Sequence, residues 1–371
     1  MADLSRLLLR LVPRNRGQRV IAGAVVVVVV GAVLAIVLTS GGNKNHPSAS
    51  STTSSTSTTP VSTTICPLTD TPAPGGHVPD RPALLVKIGN EPEGARPQSG
   101  LNEADIVFDT PAEGFIMRYV AVYQCNSASL IGPTRSLRWI DYRMVAKLFG
   151  SPIIAFAGGI NPNIDAAESL KWLHTVDLLD EGPPVANRIS SRVPPDNLYT
   201  STSALYGLYK TATTPPEPIF DYSASTPSAM SPVTSFGIDF SYGTDVVWRW
   251  QAASKDWLHT YSGSPDTDTL TNQAVTTTNI AVMIVHYRFG PYVESIGGSG
   301  DVESYLQGSG TGYVLRDGRD VKVTWHRKTQ YGKITFTDAA GNEIDLAPGR
   351  TWVEIVPITQ AEAPGGITIT R

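Results

Sequence analysis

The sequence predicts an α+β protein: an N-terminal mixed α/β layered domain, then a mainly β C-terminal domain, preceded by one transmembrane helix. Three observations lead there. An uncharged apolar run fills residues 20–38. Strand-like runs alternate with segments of helical spacing from residue 81 to about residue 210. After residue 235 nearly every periodic run is a short strand bounded by turn signals.

Composition narrows the class further. With 41% hydrophobic and 17% charged residues, most of the chain is expected to fold. A net charge of -4, with no basic block beyond the N-terminus, argues against a nucleic-acid partner. Two cysteines exclude a disulfide-dense scaffold and a four-cysteine zinc site. The six histidines form neither an HxH nor an HExxH pair, so no metal is expected.

Residues 1–19 form a basic tail with Arg6, Arg10, Arg14, Arg16 and Arg19 against Asp3. The run at 20–38 spans about 28 Å as a helix, close to the thickness of bilayer hydrocarbon. The positive-inside rule then places the tail in the cytoplasm and everything after the span outside. Localisation is therefore expected at the cell membrane, single-pass, with the membrane itself a partner through 20–38. A cleaved signal peptide is the alternative, but its apolar region usually runs only about 7–15 residues. Residues 39–75 form a Ser/Thr-rich tether, whose low-complexity stretch Ser48 to Thr64 cannot build a core.

The folded part is expected over 76–213 and 236–357. Residues 83–88, 106–109 and 115–124 predict strands. Pro133 and Thr134 open a segment with Leu137, Ile140, Met144, Val145 and Leu148 at helical spacing, stopped by Gly150. A strand at 153–156 and a helix beginning at Asn161-Pro162 come next. Residues 214–235 carry five prolines and read as a linker. Residues 246–250, 280–287, 313–316, 321–327, 333–337 and 352–356 predict strands, with turns at Asp317-Gly318 and Gly341-Asn342. The tail 358–371 is expected to be loose.

Several ordered motifs then become recognisable. They are Ala95-Arg96-Pro97-Gln98-Ser99-Gly100-Leu101, Ala104-Asp105-Ile106-Val107, Glu113-Gly114, Arg118 and Gly132-Pro133-Thr134-Arg135-Ser136. Ala157-Gly158-Gly159 and Asn197-Leu198-Tyr199-Thr200 come after them, then residues 308–314, Arg316-Asp317-Gly318, Trp325 and Pro348-Gly349-Arg350-Thr351-Trp352. Over about residues 81–357 the chain resembles the YerB-like family of bacterial extracytoplasmic proteins, which pairs an N-terminal with a C-terminal domain of unknown function. The resemblance implies a two-domain protein outside the cytoplasmic membrane and no known reaction, substrate or cofactor. Many members look like lipoproteins. This chain has no cysteine directly after its apolar run and departs from them by using a transmembrane helix.

The most chemical segment is 132–138. Thr134 as N-cap would leave the amides of Arg135, Ser136 and Leu137 free, an arrangement that attracts anions. Arg135 and Arg138, three apart, would share a face, with Arg96 and Arg118 joining them. The bland reading pairs these arginines with Glu103, Asp105, Asp109 or Glu113 in structural ion pairs. Glu113 and Asp105 are weak acid/base candidates. Residues 308–312 resemble a phosphate loop but precede a strand, so a loop or bulge entering a hairpin is expected. Asp266-Thr267-Asp268 reads as a polar hairpin tip. Cys66 and Cys125 are expected to form a disulfide on grounds of compartment.

The expected function is a membrane-anchored extracytoplasmic envelope protein with a non-enzymatic binding or scaffolding role. Its partner would be an envelope protein or an anionic envelope ligand. The alternative is an enzyme acting on an anionic envelope substrate, a lipid-linked phosphate or a glycan.

Overall fold

A computed structural model describes residues 64–371, apart from 241–244, 262, 294–297 and 299. The basic tail, the span 20–38 and tether residues 39–63 lie outside the described residues. Among the described residues, no helix is long and apolar enough to cross a membrane.

The first half supplies β1 (Leu84–Ile88), β2 (Ile106–Pro111), β3 (Met117–Tyr123), β4 (Ile153–Phe156), α1 (Asn161–Glu168), β5 (His174–Asp177) and α2 (Thr202–Leu208). The second supplies β6 (Ser235–Ile238), β7 (Val246–Gln251), β8 (Asp256–Tyr261), β9 (Asn279–Val285) and the arm β10 (Tyr287–Val293) and β11 (Gly300–Ser304). It ends with β12 (Gly308–Arg316), β13 (Arg319–Arg327), β14 (Thr335–Thr337), β15 (Thr351–Pro357) and β16 (Ile367–Thr370).

Both halves build one eleven-stranded sheet, in the order β14-β13-β12-β9-β15-β2-β3-β1-β4-β5, with Ser231–Pro232 paired onto β13. The halves meet where β2 and β15 pair in parallel, Ile106 opposite Thr351 through Asp109 opposite Glu354. β15 is also parallel to β9, β1 to β4, and β4 to β5. Because β3 is antiparallel to both β1 and β2, and β12 to both β9 and β13, seven strands point the same way and end along one edge.

Burial on two faces explains the strand sequences. β1 and β15 are buried along their whole length, which requires near-continuous apolar runs. Alternate residues still part company. Leu84, Val86, Ile88, Val107 and Trp352 face a smaller sheet of β8, β7, β6 and β16, whose Trp248 and Trp257 fill the layer between. Leu85, Phe108, Val353 and Ile355 face a layer made by residues 137–149, α1 and residues 219–230. The Pro-rich stretch 214–235 contributes Ile219, Phe220, Met230 and Val233 to the core, so it is anchored at those points while residues 224–226, 228–229 and 231–232 stay exposed.

Three local expectations are corrected. Helical backbone begins only at Trp139, as a π-helical turn over Asp141–Val145 and a 3₁₀ turn over Ala146–Phe149 that stops at Gly150, φ 72°. Residues 308–312 are strand, not loop. A Cβ on Gly310 would lie 2.8 Å from the Trp325 ring, so glycine there lets the indole cross the strand and donate to the Ile284 carbonyl at 3.0 Å. The C-terminal tail is not loose. β16 pairs antiparallel with β6, and its Ile-Thr-Ile-Thr alternation puts Ile367 and Ile369 against the core.

Asp268 is no exposed tip either. It is fully buried and accepts the amides of Gly100 and Asn102 at 3.2 and 2.9 Å, fastening the second half to the turn before β2. A disulfide joins Cys66 to Cys125, with Cα atoms 6.0 Å apart, inside a small cluster with Ala73 and Val78. It closes a 59-residue separation between the end of the tether and the end of β3. Replacing both cysteines by serine should cost about 4 kcal/mol through loss of the loop constraint. Non-reducing peptide mapping should recover one Cys66–Cys125 species from the native chain; two free thiols there would contradict the linkage.

Candidate functional site

Where parallel strands end together, the loops that leave them surround a crevice, the usual ligand position in open α/β sheets. The carboxyl ends of β1, β2 and β4 carry such a cluster here. The extended stretch 133–137 lies between the ends of β1 and β4. Gly89 donates to Pro133, Arg135 to Lys87, Ala157 to Arg135 and Leu137 to Gly158, each at 2.9 Å. The Thr134 amide and hydroxyl both donate to the Leu198 carbonyl, at 2.8 and 3.1 Å. Arg138 N donates to Asp141 Oδ2 at 2.8 Å. The expected helix N-terminus at Thr134 is therefore corrected. The amides of Arg135 and Leu137 are taken up by strand-like hydrogen bonds, and Ser136 sits half-buried in the same stretch.

The arginines at this edge hold carboxylates. Glu91, just past β1, receives Arg118 Nη2 at 2.8 Å on one oxygen and Arg135 Nε at 3.2 Å on the other. Arg135 Nη2 also reaches Asp196 Oδ1 at 2.5 Å. Gly89 permits this crossing, because a Cβ there would lie 2.8 Å from Arg135 Cγ. Arg138 pairs separately with Glu113 at 2.7 Å. Arg96 donates to Asn90 Oδ1 at 2.9 Å and lies flat over the Tyr261 ring, 3.3 Å from its centroid. Tyr261 donates to the same Asn90 oxygen at 2.9 Å. The edge thus brings Arg118 and Arg135 together on Glu91 and places Arg96 on the neighbouring residue.

The electrostatics are set by these pairs. Burial pushes Glu91 up, but the Arg118 and Arg135 charges outweigh it and leave the carboxyl below its usual value. Asp196 stays above its usual value because burial outweighs Arg135. Asp105, an acid/base candidate, lies at the opposite end of β2. It is fully buried and accepts the Cys125 amide at 3.1 Å and Asn126 Nδ2 at 2.8 Å, along with the Gln124 amide. Burial pushes it up to about 6, against those donors. Its position makes it a clamp on the chain beside the disulfide.

Of three buried charges, the sequence offered Asp109 only as a possible arginine partner, and Lys87 and Glu354 not at all. Lys87 Nζ donates to Asp141 Oδ1 at 2.7 Å and to Thr110 Oγ1 at 2.8 Å, and burial lowers its pKa despite Asp141. Asp109 and Glu354 sit opposite each other at the seam between the halves. Each interrupts an otherwise apolar run, LLVKI, IVFDTP and TWVEIVP, and that interruption was the available signal. Outside the crevice, the arm strand β10 exposes Phe289, Tyr292 and Val293 by about half, and Phe115 packs edge-on against Tyr287 at 5.1 Å.

Fold and site together define an extended mixed sheet shared by two chain halves, with an ion-paired edge where its parallel strands end. The chain belongs to the DUF3048 family, described as a protein of unknown function. The family's N-terminal domain matches residues 68–214 and its C-terminal domain residues 236–353. It is similar to the "Putative lipoprotein YerB" of Bacillus subtilis (strain 168), 27% identical over 290 residues, 76% of this chain and 82% of that protein. It shares the fold of the crystal structure of YerB from Bacillus subtilis, with a TM-score of 0.70 and 23% identity over 83% of this chain and 99% of that one. The family read from the sequence motifs is thereby shown.

If the arginines are structural, Arg135→Ala should destabilise the protein by about 1–3 kcal/mol, because it strips partners from two largely buried carboxylates. Glu91 is held low, so the stability it contributes is present above the ordinary glutamate value of 4.5 and lost as pH falls below it. The deficit in chemical denaturation should shrink accordingly in acid. An unchanged denaturation midpoint with lost phosphate binding would restore the anion-site reading.

Proposed function

We propose that this protein is an extracytoplasmic, membrane-tethered component of the bacterial cell envelope that binds a partner protein and has a non-enzymatic, scaffolding role. The observation that carries the binding reading is the division of labour on its surface. Each candidate arginine is engaged with a side chain of the same chain, whereas β10 leaves Phe289, Tyr292 and Val293 half exposed. Aromatic residues outside a core mark protein contact surfaces more often than they mark catalytic centres. The enzyme alternative needs a carboxylate free beside a free guanidinium. Glu91 and Glu113 each hold arginine instead.

Two further observations support the address. The Cys66–Cys125 linkage suits an oxidising compartment, and the arginine-rich tail ahead of 20–38 suits export of residues 39–371. The similarity to a protein described as a lipoprotein points the same way.

The test uses the full-length chain in intact cells. A reporter fused after Arg371 should be active only outside the cytoplasm, and a photo-crosslinking residue at position 289 should form an adduct with another envelope protein. Cytoplasmic reporter activity would overturn the topology. Absence of a protein adduct at 289 would overturn the binding reading.

A further inference from the structure

We infer that Asp109 and Glu354 share a proton across the strand pair that joins the two halves, and that proton uptake by this pair makes the joint sensitive to pH. The geometry carries the inference. The two residues are in register on adjacent parallel strands, and both are buried, with 1% and 0% of their surface exposed. Glu354 Oε1 accepts Trp248 Nε1 at 2.7 Å. The oxygens left without any donor are Asp109 Oδ1 and Glu354 Oε2, one from each carboxyl. Two ionised carboxylates here would be two uncompensated buried charges side by side. One proton between those two oxygens supplies the missing donor for both and leaves one net charge.

The surroundings hold that remaining charge. Arg96, lying over Tyr261, and Lys87, on β1, both act on Asp109 as nearby positive charges. From the small sheet, Tyr261 and His259 face the pair's layer, and His259 stacks on Trp352, 4.9 Å between ring centres. The Tyr119 hydroxyl, on β3, bonds to that of Tyr261. His259 lies 3.3 Å from Asp266, and burial lowers its pKa, so it adds little positive charge near neutrality. Burial pushes Asp109 well above the usual carboxylate range, reinforced by Glu354, and pushes Glu354 up to about 7.

The direction of the effect can be worked out from Glu354. In the unfolded chain it ionises near 4.5, whereas in the folded chain it keeps its proton toward neutrality. Glu354's part of that stability is complete below 4.5 and is lost as pH rises through about 7, where Asp109, held higher, still keeps the shared proton. Over that interval the folding equilibrium constant should fall by roughly a hundredfold from this site. Acid therefore tightens the joint and alkali loosens it. Facing outward from the cell, as proposed above, the protein would meet such changes directly, but the chemistry does not depend on that location.

The experiment compares the full-length wild-type protein in detergent with Asp109→Asn and Glu354→Gln, measuring urea unfolding from pH 4.5 to 8. An amide at either position supplies a permanent N–H to the remaining carboxylate. Wild-type stability should fall with pH, and both variants should lose most of that slope, while Asp105→Asn retains the part due to the pair. Infrared spectroscopy gives a second readout that does not depend on stability. A protonated-carboxyl band at pH 6.5 should be present in wild type and absent from both amide variants. Equal pH slopes in folded wild type and variants, or absence of that band in wild type, would overturn the shared proton.

Discussion

Four residue pairs of parallel ladder, from Ile106 opposite Thr351 to Asp109 opposite Glu354, decide how the rest of the molecule is built. Without that ladder β2 and β15 would each be an unpaired edge of a smaller sheet, an arrangement proteins avoid because edges invite foreign strands. With it, the chain's two halves share one hydrophobic layer on each face, and residues more than two hundred positions apart become neighbours. Asp268, in a separate two-stranded hairpin, reinforces the joint by holding the Gly100 and Asn102 amides, and Arg350 adds a bond to the Asn102 carbonyl at 2.5 Å. A joint of this kind is expensive in loop closure and is stabilised only once both halves are formed.

The same alignment of strands explains the arginine edge. Parallel strands end together, so their exit loops carry unsatisfied polar groups into a common space. The 133–137 stretch takes up several of those groups by lying between β1 and β4. Glu91 then needs countercharge, and Arg118 and Arg135 provide it. A buried or half-buried ion pair of this type contributes modest net stability, yet removing one partner is costly, so it fixes loop geometry more than it strengthens the fold.

Strands were largely legible in the sequence because most are buried on one or two faces and leave apolar runs or clean alternation. The Ile153–Phe156 strand, the Asn161 helix start and the turn at Asp317-Gly318 all lie where local pattern places them. Thr134 misled because its neighbours from Leu137 onward do have helical spacing, while its own conformation is set by distant carbonyls at Lys87, Gly158 and Leu198. The glycines at 310 and 312 misled in the same way: a Cβ would meet the Trp325 ring at 310 and the Val282 carbonyl at 312, both on neighbouring strands and invisible to any local window. At the candidate site the arginines were found by motif, but their partners Glu91 and Asp196 were not, since only the fold brings those loops together. Lys87 and Glu354 were the legible signal passed over, and Asp109 was read only as an arginine partner: all three are single charges in runs that otherwise demand burial.

Hydrogen exchange on the native full-length protein tests the shared sheet most directly. Amides of β1 and β3 in the first half and of β9 and β12 in the second should open with the same free energy as denaturant is added, as one cooperative unit. Protection of β1 and β3 persisting after β9 and β12 have fully exchanged would show that the halves fold separately and that the β2–β15 ladder is incidental.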